Sequence, residues 1–214
     1  MKTSTRADTA KGLAILAYAA LVLPFLHAAA GSYDRYLVVN YALLLFVPLL
    51  IIFLVFREDP AAYGFARGDT RAALRLFLVL FVPTVVVLAI FARRPEFQRY
   101  YPINEAARYF RPELLHWEVA YNGFYMFCWE FFFRGFLLFG LRQMMGNRAI
   151  YLQAIAFGLM HWGKPAPEFY VSFLTGFVLG VVALRSRSFL PTFALHAASA
   201  ISFDLFVLAW GGRL

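Results

Sequence analysis

The stretch Phe127-Cys-Trp-Glu130-Phe-Phe-Phe-Arg134-Gly-Phe-Leu-Leu-Phe-Gly140 decides the fold class of this chain. It belongs to one of several apolar runs that reach the length of about 20 residues that a helix needs to cross a bilayer core. Its two charged residues, Glu130 and Arg134, are four positions apart and therefore share one face of a helix. The stretch predicts a membrane-spanning helix with a polar pair in its interior.

The composition excludes a soluble domain. Of 214 residues, 62% are hydrophobic and 15% are charged, which is more apolar surface than one soluble core can bury. The excess of 20 Lys and Arg over 12 Asp and Glu would suit a nucleic-acid partner, but the basic residues flank the apolar runs. We therefore expect no nucleic-acid binding. A single cysteine excludes a disulfide framework and a multi-cysteine zinc site.

The apolar runs predict an all-α, polytopic transmembrane helical bundle with a polar intramembrane cavity. We expect about seven spans, with six or eight as alternatives. The clearest runs are 13–30, 36–56, 72–92, 114–141 and 189–210, and two shorter ones are 149–162 and 169–184.

The runs form a single integrated membrane domain with two parts. Residues 1–113 hold the first helices and an interfacial segment rich in Arg and Tyr, and residues 114–214 hold the polar residues discussed below. If the N-terminus is cytoplasmic, the loops on the cytoplasmic side carry more Lys and Arg than the loops on the opposite side, as the positive-inside rule requires. We expect a multi-pass protein of the plasma membrane in that orientation, in contact with the lipid bilayer and of undetermined oligomeric state.

Ionisable residues inside the spans are candidates for function, because a charge in the bilayer costs several kcal/mol unless it faces protein or water. Besides Glu130 and Arg134, they are His161, His196 and Asp204, the last about two helical turns beyond His196. At a rise of about 1.5 Å per residue, all five lie in one slab about 12 Å thick. We expect their side chains to converge.

Two histidines and a carboxylate on separate helices suit the activation of water for hydrolysis. The same residues could hold a divalent metal such as zinc, with Glu130, His161 and His196 as ligands. Purely structural roles are the alternative. Glu130 and Arg134 could form an ion pair that only neutralises itself, and each histidine could be a hydrogen-bonded core residue.

The ordered trio Glu130-Phe-Phe-Phe-Arg134-Gly, Phe157-xxx-His161 and His196 resembles the motifs of the CPBP intramembrane proteases. That group includes the CAAX prenyl endopeptidases and the bacteriocin self-immunity proteins. The resemblance covers about residues 114–210 and marks 114–214 as the catalytic core. It implies an intramembrane endopeptidase that cleaves a membrane-associated protein or peptide, with a glutamate and a histidine activating water and a second histidine stabilising the oxyanion.

Two positions depart from the family pattern. Trp129 stands where the first glutamate of a Glu-Glu pair is usual, and Ala200 stands where Asn or Asp is usual. Either Glu130 acts as the base, or Glu168 or Asp204 has been recruited, with Asp204 the natural compensation for Ala200. The alternative function is a non-proteolytic membrane scaffold or an immunity-type binding protein with a degenerate site. A proton-coupled carrier is a third class, disfavoured because no internal repeat is visible.

Overall fold

A computed structural model describes residues 5–28 and 32–213, and all regular structure in these ranges is helical. The predicted end of the first span, at residues 29 and 30, lies outside them. We number eight helices: α1 (Arg6–Ala28), α2 (Tyr33–Phe56), α3 (Thr70–Phe91), α4 (Pro95–Tyr100), α5 (111–145), α6 (Ala149–Leu159), α7 (Ala166–Ser186) and α8 (Leu190–Trp210).

Six helical segments in the described ranges are long and apolar enough to cross a membrane. This confirms an all-α multi-pass membrane protein, with six spans where about seven were expected. The difference lies in the predicted span 149–162. Its helix, α6, has 11 residues and follows α5 after the short turn Gly146–Arg148, so that Arg111–Leu159 counts as one segment.

Helix α3 has an exposed apolar surface that indicates a lipid environment around the bundle. None of its residues is buried, although the helix packs against α7 and α8. Its exposed side chains form a row at four-residue spacing: Leu74, Leu78, Val82, Val86 and Ile90. A continuous apolar row of this length is stable against lipid chains and not against water.

Helix α5 is the central element of the bundle. Eight consecutive residues, Phe131 to Leu138, are buried, so this part of the helix is enclosed on every side. It includes two stretches with the wider π-type turn, Glu118–Tyr125 and Phe131–Phe139, and such turns are frequent at functional sites. This run places Arg134 in the interior of the protein, and Glu130, just before the run, is equally buried.

Close packing of α6 against α7 depends on glycines. A Cβ atom at Gly158 would lie 2.4 Å from Phe173, and one at Gly176 would lie 3.1 Å from the Cα of Ala154. The side chain of Gln153 donates to the carbonyl of Gly176 across this interface at 2.8 Å. Small residues in apolar helices allow such approach of backbones. A Cβ atom at Gly180, one turn after Gly176, would lie 2.6 Å from Gln153, so both glycines pack within the chain.

Candidate active site

Glu130 connects two helices at the centre of the bundle. Its side chain on α5 is fully buried. Its Oε1 lies 2.7 Å from Nδ1 of His196 on α8 and 3.1 Å from Nη1 of Arg134. Three residues that the sequence singled out thus meet at one carboxylate oxygen.

Arg134 compensates the charge of Glu130. It is fully buried, and its Cζ lies 4.1 Å from the centroid of the Phe157 ring in a cation–π contact. A buried ion pair is tolerated when both partners have good geometry and further favourable contacts. Arg134 therefore allows a carboxylate to exist in an apolar interior.

Phe157 organises the two histidines. Its ring centroid lies 4.6 Å from the ring of His161 and 5.8 Å from that of His196. Nδ1 of His161 donates to the carbonyl of Phe157 at 2.8 Å, because a carbonyl can only accept, and this leaves Nε2 as an acceptor in the neutral ring. Burial, together with the nearby positive charge of Lys164, lowers the pKa of His161 well below its ordinary value.

Four buried polar atoms at this site have no hydrogen-bond partner within the described chain. They belong to three residues of one α5 segment: Trp129 Nε1, Glu130 Oε2, Arg134 Nε and Arg134 Nη2. Buried polar groups are nearly always paired, so an unpaired cluster of them calls for an explanation. The cluster is consistent with a site that receives a polar reactant.

Asp204 lies in a second polar cluster. Its Oδ2 accepts from Nε1 of Trp117 at 2.6 Å and from Nδ2 of Asn122 at 3.0 Å, and the same Asn122 amide donates to Glu118 at 2.7 Å. Eight residues separate Asp204 from His196, about 12 Å along a helix. The structure therefore brings Asp204 to the first half of α5 and not to Glu130.

Glu168 lies in a third cluster. It pairs with Lys164 at 2.7 Å and accepts from the hydroxyl of Tyr101 at 2.7 and 2.8 Å. Burial alone would lower the pKa of Lys164, but Glu168 and Tyr101 raise it well above its usual range. This cluster joins the segment after α4 to the start of α7, and it leaves Glu130 as the carboxylate that contacts His196.

The described residues do not fit the zinc site at Glu130, His161 and His196 that the sequence left open. Within 5–28 and 32–213, no group of three or more His, Cys, Asp or Glu side chains is placed to hold a metal ion. The reason is local. Oε1 of Glu130 is engaged by His196 and Arg134, and Nδ1 of His161 is engaged by the backbone of Phe157. We therefore derive no step through a metal.

The sequence reasoning missed the partners of these residues. Asn122 and Glu118 are polar residues four positions apart inside an apolar run, the same signal that identified Glu130 and Arg134. Phe157 belongs to a predicted motif, but nothing in its residue type indicates contact with four site residues, which are Trp129, Arg134, His161 and His196. The pairing of Tyr101 with Glu168 joins residues 67 positions apart and leaves no trace in local spacing.

One comparison with known proteins matches the part of the chain that holds these residues. The family model described as Type II CAAX prenyl endopeptidase Rce1-like matches residues 113–202. That range includes Glu130, Arg134, His161 and His196. No curated protein and no solved structure matches the chain. At the family level, the match supports an intramembrane CAAX-type protease. It confirms the resemblance predicted from the motifs: residues 113–202, less than half of the chain, match the Rce1-like family of Type II CAAX prenyl endopeptidases.

Proposed function

We propose that this chain is an intramembrane endopeptidase that hydrolyses a peptide bond of a membrane-associated protein or peptide. The observation that supports it is the state of the Glu130 carboxylate. One oxygen is held by His196 and Arg134, and the other is buried and has no partner within the described chain. Such a carboxylate can accept a proton from a water molecule beside it.

In the proposed mechanism the Glu130–His196 pair takes the proton of the attacking water. Nε2 of His161, left as an acceptor by the bond of Nδ1 to Phe157, orients that water toward the carbonyl carbon. Arg134 offsets the charge of Glu130 throughout. The proton held by the pair then passes to the leaving amine when the C–N bond breaks. Asp204 and Glu168 stabilise the surrounding helices.

The family description suggests the first substrate class to test, a prenylated protein that ends in Cys-aliphatic-aliphatic-X. We propose that the protein lies in the plasma membrane. The distribution of basic residues favours an N-terminus on the cytoplasmic side.

The test compares membrane proteomes of cells that produce the wild type, Glu130→Gln, His161→Gln or His196→Gln at equal levels. New C-termini are quantified by mass spectrometry. We expect cleavage products that depend on the wild type and are lost in all three variants. A farnesylated peptide and its unprenylated counterpart, given to the purified protein in vesicles, separate the substrate classes. If no product distinguishes wild type from Glu130→Gln, the chain acts as a non-proteolytic scaffold or binding protein.

A further inference from the structure

Trp129 brings an indole N–H group to the site. Its indole ring packs against His161 and Phe157, with centroid distances of 6.3 and 6.1 Å. On α5 it packs between Tyr125 and Phe133, at 5.6 and 5.0 Å. Contacts on several sides fix the ring beside the histidine that faces the proposed water.

The indole N–H of Trp129 is buried and has no acceptor within the described chain. Only 6% of the residue is exposed. The buried Trp117 shows the ordinary outcome, since its Nε1 donates to Asp204 at 2.6 Å. A buried donor left unpaired destabilises the protein, because its lost hydration is not replaced. Because an indole can only donate, whatever pairs with it must be an acceptor.

The other unpaired atoms at the site indicate what kind of acceptor. Arg134 adds two unpaired nitrogens, Nε and Nη2, while Oε2 of Glu130 is the unpaired acceptor. Donors therefore outnumber acceptors. A reactant that complements this set presents an oxygen atom with high negative charge to the donors and an O–H to Glu130. A peptide carbonyl under attack by water has both features.

We infer that the indole N–H of Trp129 donates a hydrogen bond to the carbonyl oxygen of the scissile peptide and stabilises the oxyanion formed from it. This inference rests on the proposed hydrolysis. Water forms the new C–O bond, the Glu130–His196 pair takes its proton, and the carbonyl π electrons move to the oxygen that Trp129 holds. When the carbonyl re-forms, the C–N bond breaks and the proton goes to the amine. Trp129 is thus a catalytic residue in place of the carboxylate usual at this position.

The first experiment removes the N–H while keeping an aromatic ring. Trp129→Phe, and replacement of Trp129 by 3-benzothienylalanine, which has sulfur in place of N–H, are compared with the exposed control Trp162→Phe. The assay is cleavage of the farnesylated peptide, or of the product identified in cells, by purified protein in vesicles. We expect both changes at 129 to lower kcat by about 100-fold and to leave KM within about threefold. The control keeps the wild-type rate.

The benzothienylalanine protein keeps the shape of the ring, so it reports on the N–H even where Trp129→Phe unfolds. If that protein has a kcat within about threefold of wild type while Glu130→Gln is inactive, Trp129 does not have the proposed role. The proposed function then still stands. If neither substrate nor any cellular protein is cleaved by the wild type, the proposed function fails and this inference fails with it.

A second readout does not depend on turnover. The chain has four tryptophans, so ¹⁵N-labelled protein gives four indole N–H signals that single Phe substitutions assign. We expect a farnesylated peptide aldehyde, whose hydrate has tetrahedral geometry, to move the Trp129 signal downfield and to leave the Trp162 signal in place. An unchanged Trp129 signal at saturating aldehyde contradicts the inference.

Discussion

Replacement of Arg134 by methionine tests whether the buried ion pair holds the site together. Arg134 and Glu130 are both fully buried, and removal of one partner of such a pair leaves an uncompensated charge. The usual cost is about 3–5 kcal/mol of unfolding free energy. Loss of the cation–π contact with Phe157 adds to it. Methionine retains much of the side-chain volume, so the loss reports on charge and not on a cavity.

The assay is reversible unfolding in mixed micelles, followed by tryptophan fluorescence, for Arg134→Met, Glu130→Gln and the double variant. We expect the double variant to be more stable than Arg134→Met by about 2 kcal/mol or more, because no charge is then left unpaired. The control Arg142→Met removes an exposed arginine of the same helix and is expected to stay within about 0.5 kcal/mol of wild type.

Two results would refute the reasoning. One is an Arg134→Met protein within about 0.5 kcal/mol of wild type, which would mean that Glu130 is not charged or is compensated elsewhere. The other is strict additivity of the two single changes in the double variant, which would mean that the two side chains do not interact.

Three further predictions follow from the packing and the charges. Burial keeps the pKa of His161 in the folded state below its ordinary value of 6.5, so the unfolded state binds the extra proton and stability falls as pH drops below about 6.5. His161→Gln should flatten this slope in unfolding measurements, and an equal slope in wild type and variant would contradict it. Gly158→Ala should lower the unfolding free energy by about 1–3 kcal/mol, because the added methyl group overpacks α6 against Phe173. The control Gly123→Ala has ordinary spacing of 3.4 Å to Glu118 and should leave the unfolding free energy unchanged. Equal unfolding free energies for the two variants would rule this out. Tyr101→Phe should lower the unfolding free energy by about 1–3 kcal/mol, since Lys164 and Glu168 lose a hydrogen-bond partner. Replacement of the exposed Tyr109 by Phe serves as the control. An unchanged unfolding free energy for Tyr101→Phe would show that this cluster does not stabilise the fold.

The fold class could be predicted because its causes are local. A bilayer requires long apolar helices, and each such run is visible in the sequence. The number of spans differs from the expected seven, because α6 is short and is joined to α5 by a three-residue turn.

The site could be predicted only in part, because the sequence indicates the depth of a residue in its span but not the direction of its side chain. Glu130 and Arg134 share a helix turn, and the depth of His196 in its span was close to theirs. Depth along the membrane normal does not determine which way a side chain faces or which helix is its neighbour. Asp204 therefore fell in the same predicted slab as Glu130 but bonds to Trp117 and Asn122. Glu168 is held by a residue of a distant loop, Tyr101.

The most direct test of the account is hydrolysis in ¹⁸O-labelled water. Purified wild-type protein and Glu130→Gln, matched in folded amount and reconstituted in vesicles, are given the substrate identified in cells or the farnesylated peptide. The account predicts that the wild type releases a product whose new carboxyl group contains one solvent ¹⁸O atom, and that Glu130→Gln releases none. Equal labelled product from both proteins would contradict the role of Glu130, and its absence from both would contradict hydrolysis itself.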